Sequence, residues 1–431
     1  MSMDDVRKGH DEFLFPCVAN YYEEPLVLTE AKGSWAKDSQ GEQYLDFFGG
    51  ILTVSLGHCQ DEITEAVTKQ MQTLGHVSTL YQTSPMVDVA RHLAELTPGP
   101  LKKSFFTNSG TEADETAVLL ARIHTGNQEI IALRHGYHGR SNLSMNLTGH
   151  SSWRASGSTV PGIKHAHAPY CYRCPFGAKF PSCGIKCAQD LEELIQTETS
   201  GKVAALLAEP ILGLGGYIEP PKEYFEVAVG IVRNYGGVFI CDEVQTGFGR
   251  TGEHWFGIEH HGVEPEIMTM AKGIANGMPA GVTVATDEVA NSFSGKSTCT
   301  FGGNPVSMAA TNATLSVMVR ENIPNRASIL GATLRGYLME MKEKYGLVGD
   351  VRGKGLMQGI ELVKDRKSKE PAVEATTRLM EVSKKEKLLI GRGGLYGNVI
   401  RLAPPMLIEE EELIEGCRRL DRALSEVCGN E

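Results

Sequence analysis

Between residues 61 and 322 short apolar runs alternate with longer stretches whose apolar positions recur at helical spacing. Residues 129–133 (Glu-Ile-Ile-Ala-Leu), 203–208 (Val-Ala-Ala-Leu-Leu-Ala) and 237–241 (Gly-Val-Phe-Ile-Cys) are runs of the first kind. Unbroken apolar runs of this length predict strands buried on both faces. Alternating with helices, they imply an α/β fold with a mainly parallel sheet and ligands gathered at the strand ends. After residue 325 the pattern changes. Long amphipathic helices over 329–345 and 409–428 frame short strands at 359–363 and 398–402, which predicts a smaller α+β domain. Residues 33–46 carry a polar, Gly-containing turn between apolar flanks and predict a hairpin that pairs with this smaller domain. The expected division is an N-terminal segment over 1–60 packing with the small domain, a large domain over 61–324 and a small C-terminal domain over 325–431.

Composition adds limits. A chain of 431 residues exceeds what one core usually organises. With 41% hydrophobic residues, 48 Gly and 19 Pro it reads as a loop-rich globular enzyme. A net charge of -11 argues against nucleic acid or an anionic membrane as partner. Residues 1–12 are polar, and no later run is apolar for long enough to span a bilayer, so a cytoplasmic protein is expected. There is no G-x-G-x-x-G fingerprint for a dinucleotide and no basic helix-turn-helix segment.

Ten cysteines are unevenly spread. Cys171, Cys174, Cys183 and Cys187 crowd into one Pro/Gly-rich loop, as C-x2-C followed by C-x3-C. Such pairs can hold zinc or an iron–sulfur centre, or form disulfides in an oxidising setting. The plainer alternative is a loop of reduced thiols packed near an interface. On neither reading is the loop the catalytic centre.

The chemistry is carried by two strand ends. The run Ile267-Met-Thr-Met-Ala ends in Lys272, and the run from residue 237 ends in Asp242. A lysine at a strand end is ordinarily a solvated terminus. An amine and a carboxylate both at the ends of buried strands are costly unless something binds between them. A desolvated lysine becomes a nucleophilic amine able to form a Schiff base. A carboxylate facing the same cavity suits the ring nitrogen of pyridoxal 5'-phosphate, which must stay protonated to draw electrons from a substrate. Upstream, residues 103–107 read as a strand, Asn108-Ser109-Gly110-Thr111 as a turn, and 112–122 as a helix with Ala113, Ala117, Leu120 and Ala121 on one face. Strand, turn and helix N-terminus offer free N–H groups and hydroxyls to a phosphate, although Ser and Thr there also serve as plain caps.

Several segments together resemble the class III pyridoxal-phosphate aminotransferases of fold type I, from about residue 27 to the C-terminus. They are Asn108-Ser-Gly-Thr-Glu-Ala-Asp-Glu115, Gly136-Tyr-His-Gly-Arg140, Ala208-Glu-Pro210, Cys241-Asp-Glu-Val-Gln-Thr-Gly-Phe-Gly-Arg-Thr-Gly252, Met270-Ala-Lys-Gly273, Thr300-Phe-Gly-Gly-Asn-Pro305 and Arg352-Gly-Lys-Gly355. Asp114 departs from the pattern, since the family more often has Asn there. The resemblance implies that Lys272 carries the cofactor as a Schiff base and acts as general base, and that Asp242 pairs with the pyridine nitrogen. Tyr137 would stack on one ring face, Val244 on the other, and Gln245 would reach the phenolic oxygen. Ser109, Gly110 and Thr111 would hold the phosphate. Thr300 would complete the phosphate site of a neighbouring subunit, implying a homodimer with shared active sites, alone or within a tetramer.

The segment from Tyr137 resembles 4-aminobutyrate aminotransferases. Residues 348–361 and 389–393 resemble class III alanine–glyoxylate and β-amino acid aminotransferases. The implied reaction is ping-pong transfer from an ω- or β-amino acid, or alanine, to a small 2-oxo acid such as pyruvate, glyoxylate or 2-oxoglutarate. By the same resemblance Arg140 would hold the distal carboxylate of ω-amino donors and Arg401 the α-carboxylate of the 2-oxo acid. Glu209, beside the cofactor, would cover Arg401 when the donor lacks an α-carboxylate. A decarboxylase, lyase or aminomutase on the same fold is the alternative.

Overall fold

A computed structural model describes residues 2–157 and 159–429. Its centre is a seven-stranded sheet in the order Leu101–Thr107, Gly281–Thr286, Ile267–Met270, Val238–Asp242, Ala205–Ala208, Ile130–Leu133, Ile163–Ala166. Gly281–Thr286 runs antiparallel to both neighbours, and the pairings from Ile267–Met270 to Ile163–Ala166 are parallel. The strands Ile130–Leu133, Ala205–Ala208, Val238–Asp242 and Ile267–Met270 are buried along their whole length. This is the burial that unbroken apolar runs require when helices cover both faces of a sheet.

Register places the chemistry. Ala208 lies opposite Cys241, and Asp242 opposite Thr269. Three adjacent parallel strands therefore end together, and the residues just at or past those ends are Glu209, Asp242 and Lys272. The helix Gly110–Thr125 packs against this part of the sheet through Ala113, Ala117, Leu120 and Ala121, all buried. Ser109 caps its start by accepting from the Glu112 N–H at 3.3 Å. Gly126, at φ 70°, ends it in the left-handed conformation that lacks a steric cost only for glycine.

Two four-stranded sheets flank the large one. In the first, the N-terminal strands Leu28–Lys32, Trp35–Asp38 and Gln43–Asp46 are extended by the distant strand Leu388–Leu389, which runs parallel to Leu45 and Asp46. In the second, Val348–Lys354, Met357–Leu362, Val399–Leu402 and Gly391–Gly393 are antiparallel neighbours. The helices Ile323–Lys344, Val373–Lys385 and Glu410–Cys428 pack on these sheets. Arg401 belongs to the inner strand Val399–Leu402 and is 3% exposed. Among the described residues no helix is long and apolar enough to cross a membrane.

Candidate active site

The strand ends open into a cavity of about 690 Å³. Of the residues named from the sequence, Ser109, Gly110, Thr111, Tyr137, Arg140, Glu209, Asp242, Val244, Gln245, Lys272 and Arg401 line it. Thr300 does not: it is exposed and lies outside the cavity of its own chain.

Lys272 follows the strand Ile267–Met270 and adopts φ 48°. For a long side chain this is an uncommon backbone conformation, of the kind that persists where the surroundings over-determine it. Desolvation holds the Lys272 amine below its usual range, opposed by the charges of Asp242 and Glu209. Asp242 is 3% exposed. Its Oδ1 accepts from the Val244 N–H at 3.0 Å, and its Oδ2 lies 2.7 Å from His138 Nδ1. A carboxylate can only accept, so the imidazole donates through Nδ1, and its Nε2 is buried without a hydrogen-bond partner.

His138 was not singled out from the sequence. The Tyr-His-Gly motif was visible, but the turn that aims the imidazole at Asp242 was not. That turn depends on Gly139 at φ 125°, where a Cβ would lie 2.3 Å from Thr111 Oγ1. Replacing His138 with Phe should leave Asp242 Oδ2 short of a donor. The expected loss is about 1–3 kcal/mol, read as a roughly 5- to 150-fold weaker cofactor affinity in a fluorescence titration.

Behind this pair lies Asp114, 1% exposed, whose Oδ1 accepts from the Thr269 hydroxyl at 2.7 Å. Burial, followed by the charge of Asp242, pushes the Asp114 carboxyl well above the usual carboxylate range. A neutral carboxyl is nearly isosteric with a carboxamide, which explains how Asp fits where Asn is the commoner residue. Asp114→Asn should therefore shift stability by less than about 1 kcal/mol, whereas Asp114→Leu, which strands the Thr269 hydroxyl, should cost about 1–3 kcal/mol in chemical denaturation.

The expected pairing of Glu209 with Arg401 is absent. Both oxygens of Glu209 are held by backbone donors, Oε1 by the Tyr137 N–H at 3.0 Å and Oε2 by the Gly213 N–H at 2.8 Å. Arg401 donates from Nε to the Arg392 carbonyl at 3.1 Å and from Nη1 to the Gly213 carbonyl at 3.5 Å. It lies over the rings of Phe48 and Tyr217 at 4.9 and 5.8 Å. Among the described residues no carboxylate forms an ion pair with it. Gly393 makes room for the arginine, since a Cβ there would meet Arg401 Cδ and Nε at 2.9 Å. Arg140 is exposed at the rim, and its N–H donates to Thr111 Oγ1 at 3.3 Å.

The residues fit pyridoxal phosphate. The capped N-terminus of a 16-residue helix, with Gly110 and Thr111 in its first turn, faces the cavity. It presents the unpaired N–H groups that bind phosphate. A Cβ at Gly110 would come within 3.1 Å of Val244, so the backbone is open there only because the residue is glycine. Gln245 is 8% exposed and its Oε1 is buried without a partner. Tyr137 is held edge-on by Trp153, with ring centroids 5.6 Å apart at 78°. Trp153, Tyr21, Arg392 and Tyr396 also line the cavity and were not expected. Tyr21 and Tyr396 come from loops, Trp153 from a 3-10 turn and Arg392 from the three-residue strand Gly391–Gly393, all too short for a periodic signal.

An amine, a buried carboxylate and a helix N-terminus at the ends of parallel strands define a pyridoxal-phosphate enzyme of the α/β kind. The chain belongs to the class III aminotransferases, whose family model matches residues 17–424. It is a transaminase, and its cofactor is pyridoxal phosphate. It is 42% identical over 427 residues, 99% of this chain and 88% of the relative, to alanine–glyoxylate aminotransferase 2 homolog 2, mitochondrial, of Arabidopsis thaliana. Its fold superposes with a TM-score of 0.90 on a thermostable (S)-enantioselective omega-transaminase from Thermomicrobium roseum, 35% identical, covering 98% of each chain. An amine transaminase from an uncultivated Pseudomonas species, solved in its PLP-bound form, matches at TM-score 0.89 and 29% identity over 97% of this chain and 99% of that one.

Proposed function

We propose that this transaminase takes an amino group from an ω- or β-amino acid, or from alanine, and passes it to a 2-oxo acid such as pyruvate, glyoxylate or 2-oxoglutarate. The observation that carries this reading is Arg401, a guanidinium 3% exposed with carbonyl and aromatic partners but no acidic one among the described residues. A buried cation of this kind is costly until a carboxylate reaches it, and a guanidinium can take one bidentately. Arg140 at the rim gives a second carboxylate site, which suits donors whose carboxylate lies further from the amine. The likeness to an alanine–glyoxylate aminotransferase supports small 2-oxo acids as acceptors.

When bound, pyridoxal phosphate supplies the conjugated ring that accepts electrons from the substrate carbon. Around it, Asp242 would keep the ring nitrogen protonated while His138 fixes the carboxylate by its hydrogen bond. Ser109, Gly110 and Thr111 would hold the phosphate, Tyr137 and Val244 would pack on the ring, and Gln245 would face its phenolic oxygen. The Lys272 amine, its proton affinity lowered by desolvation, would anchor the cofactor and then move the proton at the substrate carbon. One cavity serving both half-reactions implies ping-pong kinetics. Thr300, outside its own cavity, would serve a second subunit in a homodimer.

Single-turnover kinetics of each half-reaction test the two arginines. Arg401→Ala should weaken 2-oxo acid binding by about 10- to 100-fold, the worth of a charged hydrogen-bonded pair. Arg140→Ala should weaken carboxylate-bearing ω-donors instead. An Arg401→Ala enzyme with an unchanged 2-oxo acid half-reaction would overturn the reading. Glu209, engaged with two backbone N–H groups, is a wall residue on this account, so Glu209→Ala should slow ω- and α-amino donors together. A selective loss of ω-donor efficiency would mean that it gates Arg401 after all.

A further inference from the structure

The four-cysteine loop lies outside the active-site cavity and the transaminase mechanism does not use it. Its regular structure is limited to a 3-10 turn, Cys171–Arg173, and the start of the helix Lys186–Glu198, in which Cys187 is the second residue. Each cysteine pair adjoins a tight turn. The Gly177 N–H donates to the Cys174 carbonyl at 3.1 Å, and the Cys183 N–H to the Lys179 carbonyl at 2.9 Å. Gly177 and Gly184 follow at φ 62° and 59°. All four cysteines face one small hollow of about 20 Å³, otherwise walled largely by apolar residues such as Phe176, Phe180 and Pro221.

We propose that Cys171, Cys174, Cys183 and Cys187 bind one zinc ion as a tetrathiolate site that anchors this loop beside the active-site rim. Two close pairs with two and three intervening residues match the ligand spacing of structural zinc sites. The hollow is the size of a single water or ion and too small for an iron–sulfur cluster. Two disulfides would need only pairwise approach, whereas here all four cysteines line one hollow. Among the described residues no three of their sulfurs lie within 4.8 Å of one another. Zn–S bonds of about 2.3 Å imply sulfurs roughly 3.8 Å apart, so binding draws the two turns inward.

On binding, Zn²⁺ and four thiols give the tetrathiolate dianion and release four protons to solvent, with no change of oxidation state. Cys187 sits at a helix N-terminus, which stabilises a thiolate, and Lys186 lines the same hollow.

The anchor reaches the active site through Arg173. Glu361, fully buried in the strand Met357–Leu362, accepts from the Tyr170 hydroxyl, from Arg173 Nε at 2.5 Å and from Arg352 Nη1 at 2.7 Å. Arg173 also lies 5.6 Å from the ring of Tyr396, which lines the cavity. Loss of zinc should therefore lower thermal stability more than turnover.

A second group of ligand-type side chains, Glu253, His254 and His260, provides the control, since their ligand atoms lie within 4.8 Å of one another at the surface. Enzyme purified without chelators is assayed for metal by mass spectrometry, as wild type, Cys174→Ser and His254→Ala. About one zinc per chain is expected in wild type and His254→Ala, and its loss in Cys174→Ser. Should Cys174→Ser prove insoluble, the chelator-treated wild-type enzyme is titrated with Co²⁺, and the visible bands of tetrahedral cobalt thiolate are expected. Wild-type enzyme that contains no zinc and gives no such bands overturns the proposal. So does zinc that persists in Cys174→Ser but is lost in His254→Ala.

Discussion

Lys272→Ala should retain no covalently bound cofactor and lose turnover by at least about 10²–10⁴-fold, the range general acid–base catalysis alone supplies. Lys272 is the one lysine among the described residues that line the cavity, so no neighbouring amine can replace it. The same desolvation that lowers its proton affinity makes the free amine, the form that attacks and accepts a proton, more accessible than in a surface lysine. Borohydride treatment followed by intact mass measurement reads the result directly. The wild-type chain gains the cofactor's mass and the variant does not. Normal turnover by the variant without added amine would refute the assignment.

Asp242→Asn should fold normally and lose roughly two to three and a half orders of magnitude in rate. The figure follows if removing one partner of a buried ion pair forfeits about 3–5 kcal/mol of stabilisation in the transition state. The change keeps shape and volume in a residue that is 3% exposed, so packing is not the variable. What changes is the charge offered to the ring nitrogen and the acceptor offered to His138 Nδ1, now 2.7 Å from Oδ2. A loss below tenfold would reduce Asp242 to a positioning residue for His138.

What the sequence disclosed and what it hid follow from the length scale of each feature. The apolar runs ending at Asp242 and Lys272 disclosed both residues, because parallel strands in register bring their ends together whatever the loops do. The helix after Gly110 was legible from its small, buried face and its cap. His138 was hidden because its aim depends on a glycine with positive φ and on contact with Thr111, neither of which leaves a periodic trace. The Glu209–Arg401 pair was expected from the resemblance and from the cost of leaving a buried arginine unpaired. The fold instead gives the acid two backbone N–H groups and the arginine two carbonyls, partners that no charge pattern reveals. Tyr21, Trp153 and Tyr396 reach the cavity from segments far apart in the chain.

The central claim is that this cavity transfers amino groups between amino and 2-oxo acids. The most direct test mixes the cofactor-loaded enzyme with β-alanine, 4-aminobutyrate or L-alanine in the absence of any 2-oxo acid, follows the cofactor absorbance, and then adds glyoxylate or pyruvate. Bleaching by at least one donor, recovery on adding the 2-oxo acid, and one new amino acid per enzyme turnover are the predicted results. Carbon dioxide, or a deaminated product that accumulates catalytically with no 2-oxo acid present and no new amino acid formed, would contradict the account and point to a lyase on the same fold.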